Sequence, residues 1–291
     1  MPINYSTIKS WPFEEISQPY GWKDSALYSL SLGICEDPLD VNELRYVYEQ
    51  DMRSFPTMAA VLAHPGFWVR DPGTGIDWKN AVHVEQRLKI FHPIPATGSV
   101  TAKTRVSALI DKGKGKGALM ISERQLRDSS SGQNYADVIQ ISLLRGDGGF
   151  TESGATSDAP LAPLPSSPDR QPDIVYTQTT STQAALMYRL NGDFNPLHAD
   201  PEVARAAGFE RPILHGMCTY GIAARAITQA HLGGDASKIV EFNARFSAPV
   251  FPGESIRTEM WLNGSELQFR CIAVERDVIA LNNGIARIDR S

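Results

Sequence analysis

Apolar and polar residues alternate in several short runs, and the runs fall into two groups of three. The first group covers residues 99–110, 117–127 and 134–144; the second covers 255–262, 266–275 and 278–287. A period of two marks a half-buried antiparallel strand. Before each group lies a stretch that is apolar nearly all round. One is residues 56–64, containing Thr57-Met-Ala-Ala-Val-Leu-Ala63. The other is residues 214–231, containing Met217, Tyr220, Ile222, Ala223, Ala224, Ala226 and Ile227. A helix apolar on every side must be covered by other elements, and an antiparallel sheet curled around it would do so. Two such units side by side predict an α+β protein.

The halves echo each other in sequence. A-L-Y-S-L-S-L-G (residues 26–33) aligns without gaps on A-L-M-Y-R-L-N-G (residues 185–192), and residues 87–98 resemble 245–253 with small length shifts. Internal similarity of this kind signals a duplicated unit. Between the halves, residues 150–172 are dense in Pro, Ser and Ala, a composition that disfavours helix and strand and reads as a linker. With 291 residues, the chain is long enough for two units, each burying its own core. The expected organisation is a first repeat at 1–149, the linker at 150–172 and a second repeat at 173–291.

The repeats differ just after the shared glycine. Gly192 is followed by D-F-N-P-L-H, ending at His198, whereas Gly33 is followed by I-C-E-D-P-L, with no Asn or His at the matching places. In the second repeat a carboxylate (Asp193), a carboxamide (Asn195) and an imidazole (His198) fall within six residues. Pro196 stops a regular helix from carrying them apart. Asp200 is a natural N-cap, Pro201 suits the first helical position, and Gly208 suits the end of that helix. Gly216 stands 18 residues beyond His198, at the predicted start of the long apolar helix. There, backbone N–H groups lack partners and the dipole is positive.

An acid/base pair beside a helix N-terminus fits proton transfer next to a polarised carbonyl. The plainer reading is that Asp193 and Asn195 brace the turn and that Gly216 serves close packing. His215 reads as structural, and Cys218 as core filler. His64, His83, His92 and His231 have no partners nearby in sequence and read as surface or core residues. One active site per chain is expected, in the second half, leaving the first half free to hold a bulky substrate.

Composition narrows the classes. Apolar residues make up 42% and charged residues 21%, which is globular rather than disordered. The net charge is −5 with no basic stripe, so no nucleic-acid partner is expected. Residues 112–117, K-G-K-G-K-G, read as a solvated hairpin tip. Three scattered cysteines suit neither a disulfide framework nor a metal site, and no His/Cys/Asp spacing matches a ligand set, so no metal is expected. No apolar run of about 18 residues exists, so no membrane span is expected. The N-terminus lacks the pattern of a signal peptide and the C-terminal I-D-R-S is not a peroxisomal tripeptide. The expected compartment is the cytoplasm.

Together, Y-R-L-N-G-D-F-N-P-L-H, G-F-E-R-P-I-L-H-G-M-C-T-Y-G and the N-terminal W-K-D-S-A-L-Y-S-L-S-L-G resemble the MaoC-like, R-specific enoyl-CoA hydratases (hydratase 2), including the hydratase part of peroxisomal multifunctional enzyme type 2. The resemblance extends over nearly the whole chain. It implies a double hot-dog fold, a homodimer, and reversible hydration of trans-2-enoyl-CoA to (3R)-3-hydroxyacyl-CoA. Coenzyme A is then part of the substrate, and no separate cofactor is implied. Carried over by position, Asp193 and His198 are the catalytic pair, Asn195 helps hold the water, and Gly216 offers its N–H to the thioester carbonyl. The alternatives are a dehydratase acting on 3-hydroxyacyl thioesters in lipid or polyketide synthesis, and a hot-dog thioesterase. The last usually carries a carboxylate on the central helix, and residues 217–229 contain none.

Overall fold

The computed structural model of the chain describes residues 3–289. Among the described residues there are ten strands: β1 (Glu15–Tyr20), β2 (Ala81–Ile90), β3 (Gly98–Asp111), β4 (Ala118–Asp128), β5 (Asn134–Leu144), β6 (Ile174–Thr179), β7 (Ile239–Phe246), β8 (Ser255–Asn263), β9 (Glu266–Ala273) and β10 (Val278–Ile288). The helices are α1 (Tyr5–Lys9), α2 (Trp22–Ser31), α3 (Val41–Leu44), α4 (Ala184–Tyr188), α5 (Pro201–Ala206) and α6 (Gly216–His231). The alternating runs predicted from sequence correspond to β3, β4, β5, β8, β9 and β10, shifted by at most two residues at their ends. The K-G-K-G-K-G segment is the tip of the β3–β4 hairpin, where Gly113, Gly115 and Gly117 all take positive φ. The C-terminal I-D-R-S lies partly outside the described residues, as Met1 and Pro2 do.

All strands join one antiparallel sheet in the order β1-β3-β4-β5-β2-β7-β10-β9-β8-β6. Read from its two ends, the order is the same: first, third, fourth, fifth and second strand of each half. The duplication in sequence is therefore a duplication in topology, a double hot-dog. The halves meet where β2 pairs with β7, from Glu85 opposite Arg245 to Lys89 opposite Glu241. What sequence suggested as two sheets is one continuous sheet.

The helices are unequal. α6 has 16 residues, with Cys218 through Thr228 all buried. The run 56–64 forms only a short 3-10 segment, Pro56–Ala60. The Val61 and Leu62 N–H groups still donate to the Met58 oxygen, and bonding of this kind ends at Ala63, whose N–H donates instead to Gln18 Oε1 (2.6 Å) at φ 46°. α6 consequently serves both halves. Gly221 lets it approach α2 so closely that a Cβ would sit 2.6 Å from Leu32. Arg225 on α6 holds Glu43 of α3 in a buried two-point ion pair of 2.6 and 2.8 Å. A single apolar cluster runs from Tyr20 to Ile288 through both halves, so the core is shared and not one per half, as chain length had suggested. Residues 154–173 carry no helix or strand. They are tied down by Asp158 on Lys9 and the Leu109 N–H, and by the Ala162 carbonyl accepting from Arg87.

The sheet faces differ in chemistry. Inward positions of β8 and β9 (Ile256, Met260, Leu267, Phe269, Cys271, Ala273) belong to the main core. In the first half, alternate residues share the inward face. Leu126, Ala136 and Val138 join the main core at one end, while Ala118, Met120 and Leu144 join a second apolar cluster at the other. Between the clusters the same rows carry Ser122, Arg124, Gln140 and Ser142, with Thr104 opposite Arg124 on β3.

Candidate active site

The site is built from the loop that closes α4. Gly192 takes φ 110°, a left-handed turn open to glycine, as Gly33 does at φ 79° in the first half. The chain then reverses. Asp193 Oδ1 accepts the Asn195 N–H (3.1 Å), and Asn195 Oδ1 accepts the Leu197 N–H (3.1 Å), capping the 3-10 turn Pro196–His198. Asp200 caps α5 by accepting the Glu202 N–H (2.8 Å), and Gly208 past its end has φ 88°. Asp193 and Asn195 thus do brace the turn. Their other atoms, Oδ2 of Asp193 and Nδ2 of Asn195, remain available to a ligand.

His198 is buried at 8% exposure, and its Nδ1 lies 2.9 Å from the Ile213 carbonyl oxygen. A carbonyl can only accept, so Nδ1 carries the hydrogen and Nε2 keeps its lone pair. Burial lowers the His198 pKa below the ordinary imidazole value, partly offset by the Ile213 hydrogen bond and by Asp193. At neutral pH the ring is an uncharged base. His215 stacks on it, with centroids 3.7 Å apart and planes at 26°. His215 Nε2 lies 3.2 Å from the Asp193 backbone oxygen, so this ring fixes the Asp193 loop. Burial and the neighbouring His198 push its pKa down to about 4.

Polar side-chain atoms of Asp193, His198 and His215 all lie within 4.8 Å of one another. Two hydrogen bonds to one water span about 4.5 Å, so a single water fits between the carboxylate and an imidazole. By distance the same three groups could hold a metal ion, a cluster that no spacing in sequence displays, and an imidazole that donates one N–H to a carbonyl keeps its other nitrogen for such a role.

Gly216 is the first residue of α6 and is exposed. A first-turn N–H has no intrahelical partner, and the His215 side chain does not cap this helix. The helix entry is fixed by the Leu214 N–H donating to the Val250 oxygen (2.7 Å). A Cβ at Gly216 would sit 3.1 Å from the Phe246 ring, so glycine also permits this packing, as the plainer reading held. Phe246 in turn lies edge-on to His83, with centroids 4.7 Å apart.

That contact brings in residues that sequence reading had set aside. The His64 and His83 imidazoles both feel the Asp193 charge and the Arg124 guanidinium. They come from the first half, and no spacing in sequence links them to residue 193. Positive φ at Ala63 and the bulge beside His83 bring them to the site. Cavities of about 320 Å³ around Glu36, Asp40 and Arg225, and about 410 Å³ around Tyr46, Arg53 and Ile94, share none of these residues. The polar groups, not these cavities, locate the site.

Comparison with known proteins agrees with the chain's two-part construction. Residues 163–284 match the MaoC-like domain and residues 19–146 match the multifunctional enzyme type 2 hydratase 2 N-terminal domain. An enoyl-CoA hydratase of Mycobacterium tuberculosis is 34% identical over 98% of each chain. The peroxisomal enoyl-CoA hydratase 2 of Arabidopsis thaliana is 35% identical over 96% of this chain and 94% of its own. The crystal structure of a MaoC-like dehydratase from Phytophthora capsici superposes with a TM-score of 0.85 at 31% identity, covering 99% of both chains.

Proposed function

The chain belongs to the MaoC-like family of hydratases and dehydratases, in the long form with a hydratase 2 N-terminal domain, and from that premise we propose that it hydrates trans-2-enoyl-CoA to (3R)-3-hydroxyacyl-CoA. It is a hydro-lyase by family. One observation supports the finer reading above the others: the His198 Nδ1–H is committed to the Ile213 oxygen, which leaves Nε2 unprotonated on a ring that has a nitrogen within 4.8 Å of an Asp193 carboxylate oxygen.

In the proposed reaction Asp193 and His198 hold one water, with Asn195 Nδ2 as a further donor. The water oxygen bonds to C3 as one of its protons passes to the pair. The C2=C3 electrons move onto the conjugated thioester, and the Gly216 N–H stabilises the oxygen that gains charge. The pair then returns a proton to C2. Both groups act from one loop on one face of the substrate, so the addition is syn. The reverse sequence is dehydration of the 3-hydroxyacyl thioester. The 1–149 half is proposed to hold the acyl chain. A homodimer is proposed on the family resemblance.

The test is loss of the conjugated thioester absorbance when purified protein meets enoyl-CoAs of graded length. Asp193→Asn and His198→Gln should each lower kcat by about 10²–10⁴-fold with an unchanged melting temperature. Turnover near wild type in either would refute the assignment.

A further inference from the structure

The inner face of the first half is the wrong surface for a plain hydrocarbon tail. Between its two apolar clusters runs a belt of Thr104, Ser122, Arg124, Gln140 and Ser142. Arg124 is 5% exposed. Its Nη2 donates to the Ala60 oxygen, where the 3-10 segment ends. Its Nε has no partner, and neither has the buried Thr104 hydroxyl directly opposite. Among the described residues no carboxylate forms an ion pair with Arg124, although Arg225, the comparable buried arginine of the second half, has Glu43. Burying a guanidinium without an anion is strongly unfavourable, so this arrangement is incomplete as it stands.

The belt reaches the reacting end of the site. His83 touches Phe246, and Phe246 packs on Gly216. Gln140 lies beside the His64 imidazole, which also feels Arg124 and Asp193. His64 is exposed, and His83, half-buried, is pushed down to about 4 by burial, so Arg124 is the buried cation of the belt. Strand β4 lies two strand spacings from β2, about 10 Å, which sets Arg124 away from the reacting carbons and toward the far part of a bound acyl chain.

Resting on the hydratase reading above, we propose that the first half recognises an acyl chain bearing a distal carboxylate, received by Arg124 with Thr104 and Gln140 at its sides. The substrate class is then a trans-2-enoyl-CoA with an anionic substituent away from the thioester.

The experiment compares kcat/KM for enoyl-CoAs of equal length ending in a carboxylate, a hydroxyl or a methyl group, over a series of lengths. Wild type should favour the carboxylate over the methyl by about 10-fold or more at the length that reaches Arg124, as for a charged hydrogen bond. Arg124→Met should remove that preference, and Arg124→Lys should keep part of it. If Arg124 only clamps the Ala60 carbonyl, both variants would slow every substrate alike and leave the ratio intact, which overturns the proposal. Equal use of all three termini by wild type at every length overturns it too. A hydroxyl preferred as strongly as the carboxylate would replace an anion site with a neutral polar one. Should Arg124→Met not fold, the wild-type ratios and Arg124→Lys still decide. No turnover of any enoyl-CoA would instead remove the hydratase reading itself.

Discussion

The Gly33 turn and the Gly192 turn are the same backbone device put to different ends. Each glycine closes a helix in the left-handed region, yet the next residue is Ile34 in one half, buried at 2%, and Asp193 in the other, exposed to solvent. The contrast extends to the elements each turn faces. The second half sets its turn against the N-terminus of a 16-residue helix over an apolar sheet face. The first half has a five-residue 3-10 segment over a face crossed by polar residues. Duplication supplied two frameworks. One kept a carboxylate, an imidazole and a helix end. The other gave up its helix, and its inner face holds a buried cation where hydrocarbon packing would be expected.

The joint between the halves offers the largest test of this contrast. Glu43 and Arg225 form a buried pair, and Glu43 also accepts the Cys35 N–H (2.7 Å) next to the Gly33 turn. Glu43→Gln should lower stability by about 3–5 kcal/mol, because Arg225 is left as an unpaired buried charge. Denaturant unfolding measures it, and replacing both partners by apolar residues of similar volume should recover much of the loss. Little change in the single variant would mean that the halves are held by apolar packing alone.

A smaller effect is expected at the helix end. Gly216→Pro removes the N–H at a position where proline fits a helix. It should lower kcat by about 10²–10³-fold, beyond whatever Gly216→Ala loses by pressing on Phe246. Equal losses in the two would assign Gly216 to packing, leaving the second half's helix end without a chemical role.

Much of this contrast is legible in the sequence, because local rules govern it. Six strands announce themselves by alternation, and α6 by its apolar length. The loop from Asp193 to His198 announces itself by three polar groups around a proline. The central strands β2 and β7 do not, since polar residues sit at their buried positions. Asn243 is buried because its Oδ1 accepts the Leu88 N–H from the neighbouring strand, and Glu85 because Arg87 neutralises it. The stretch 56–64 looks helical but loses its last turn to a side chain 45 residues earlier, Gln18. His64 and His83 come near Asp193, and Arg124 comes to the inner face of β4, only through sheet register and long-range closure, and neither is visible in local spacing.

The most direct measurement is hydration of a trans-2-enoyl-CoA by wild-type protein in deuterium oxide, with the relative configuration of the product read at C2 and C3. If Asp193 and His198 work one water from one side, deuterium at C2 and the new hydroxyl at C3 must arrive on the same face, giving a single (3R) isomer. Anti addition, or deuterium distributed over both faces of C2, would contradict it.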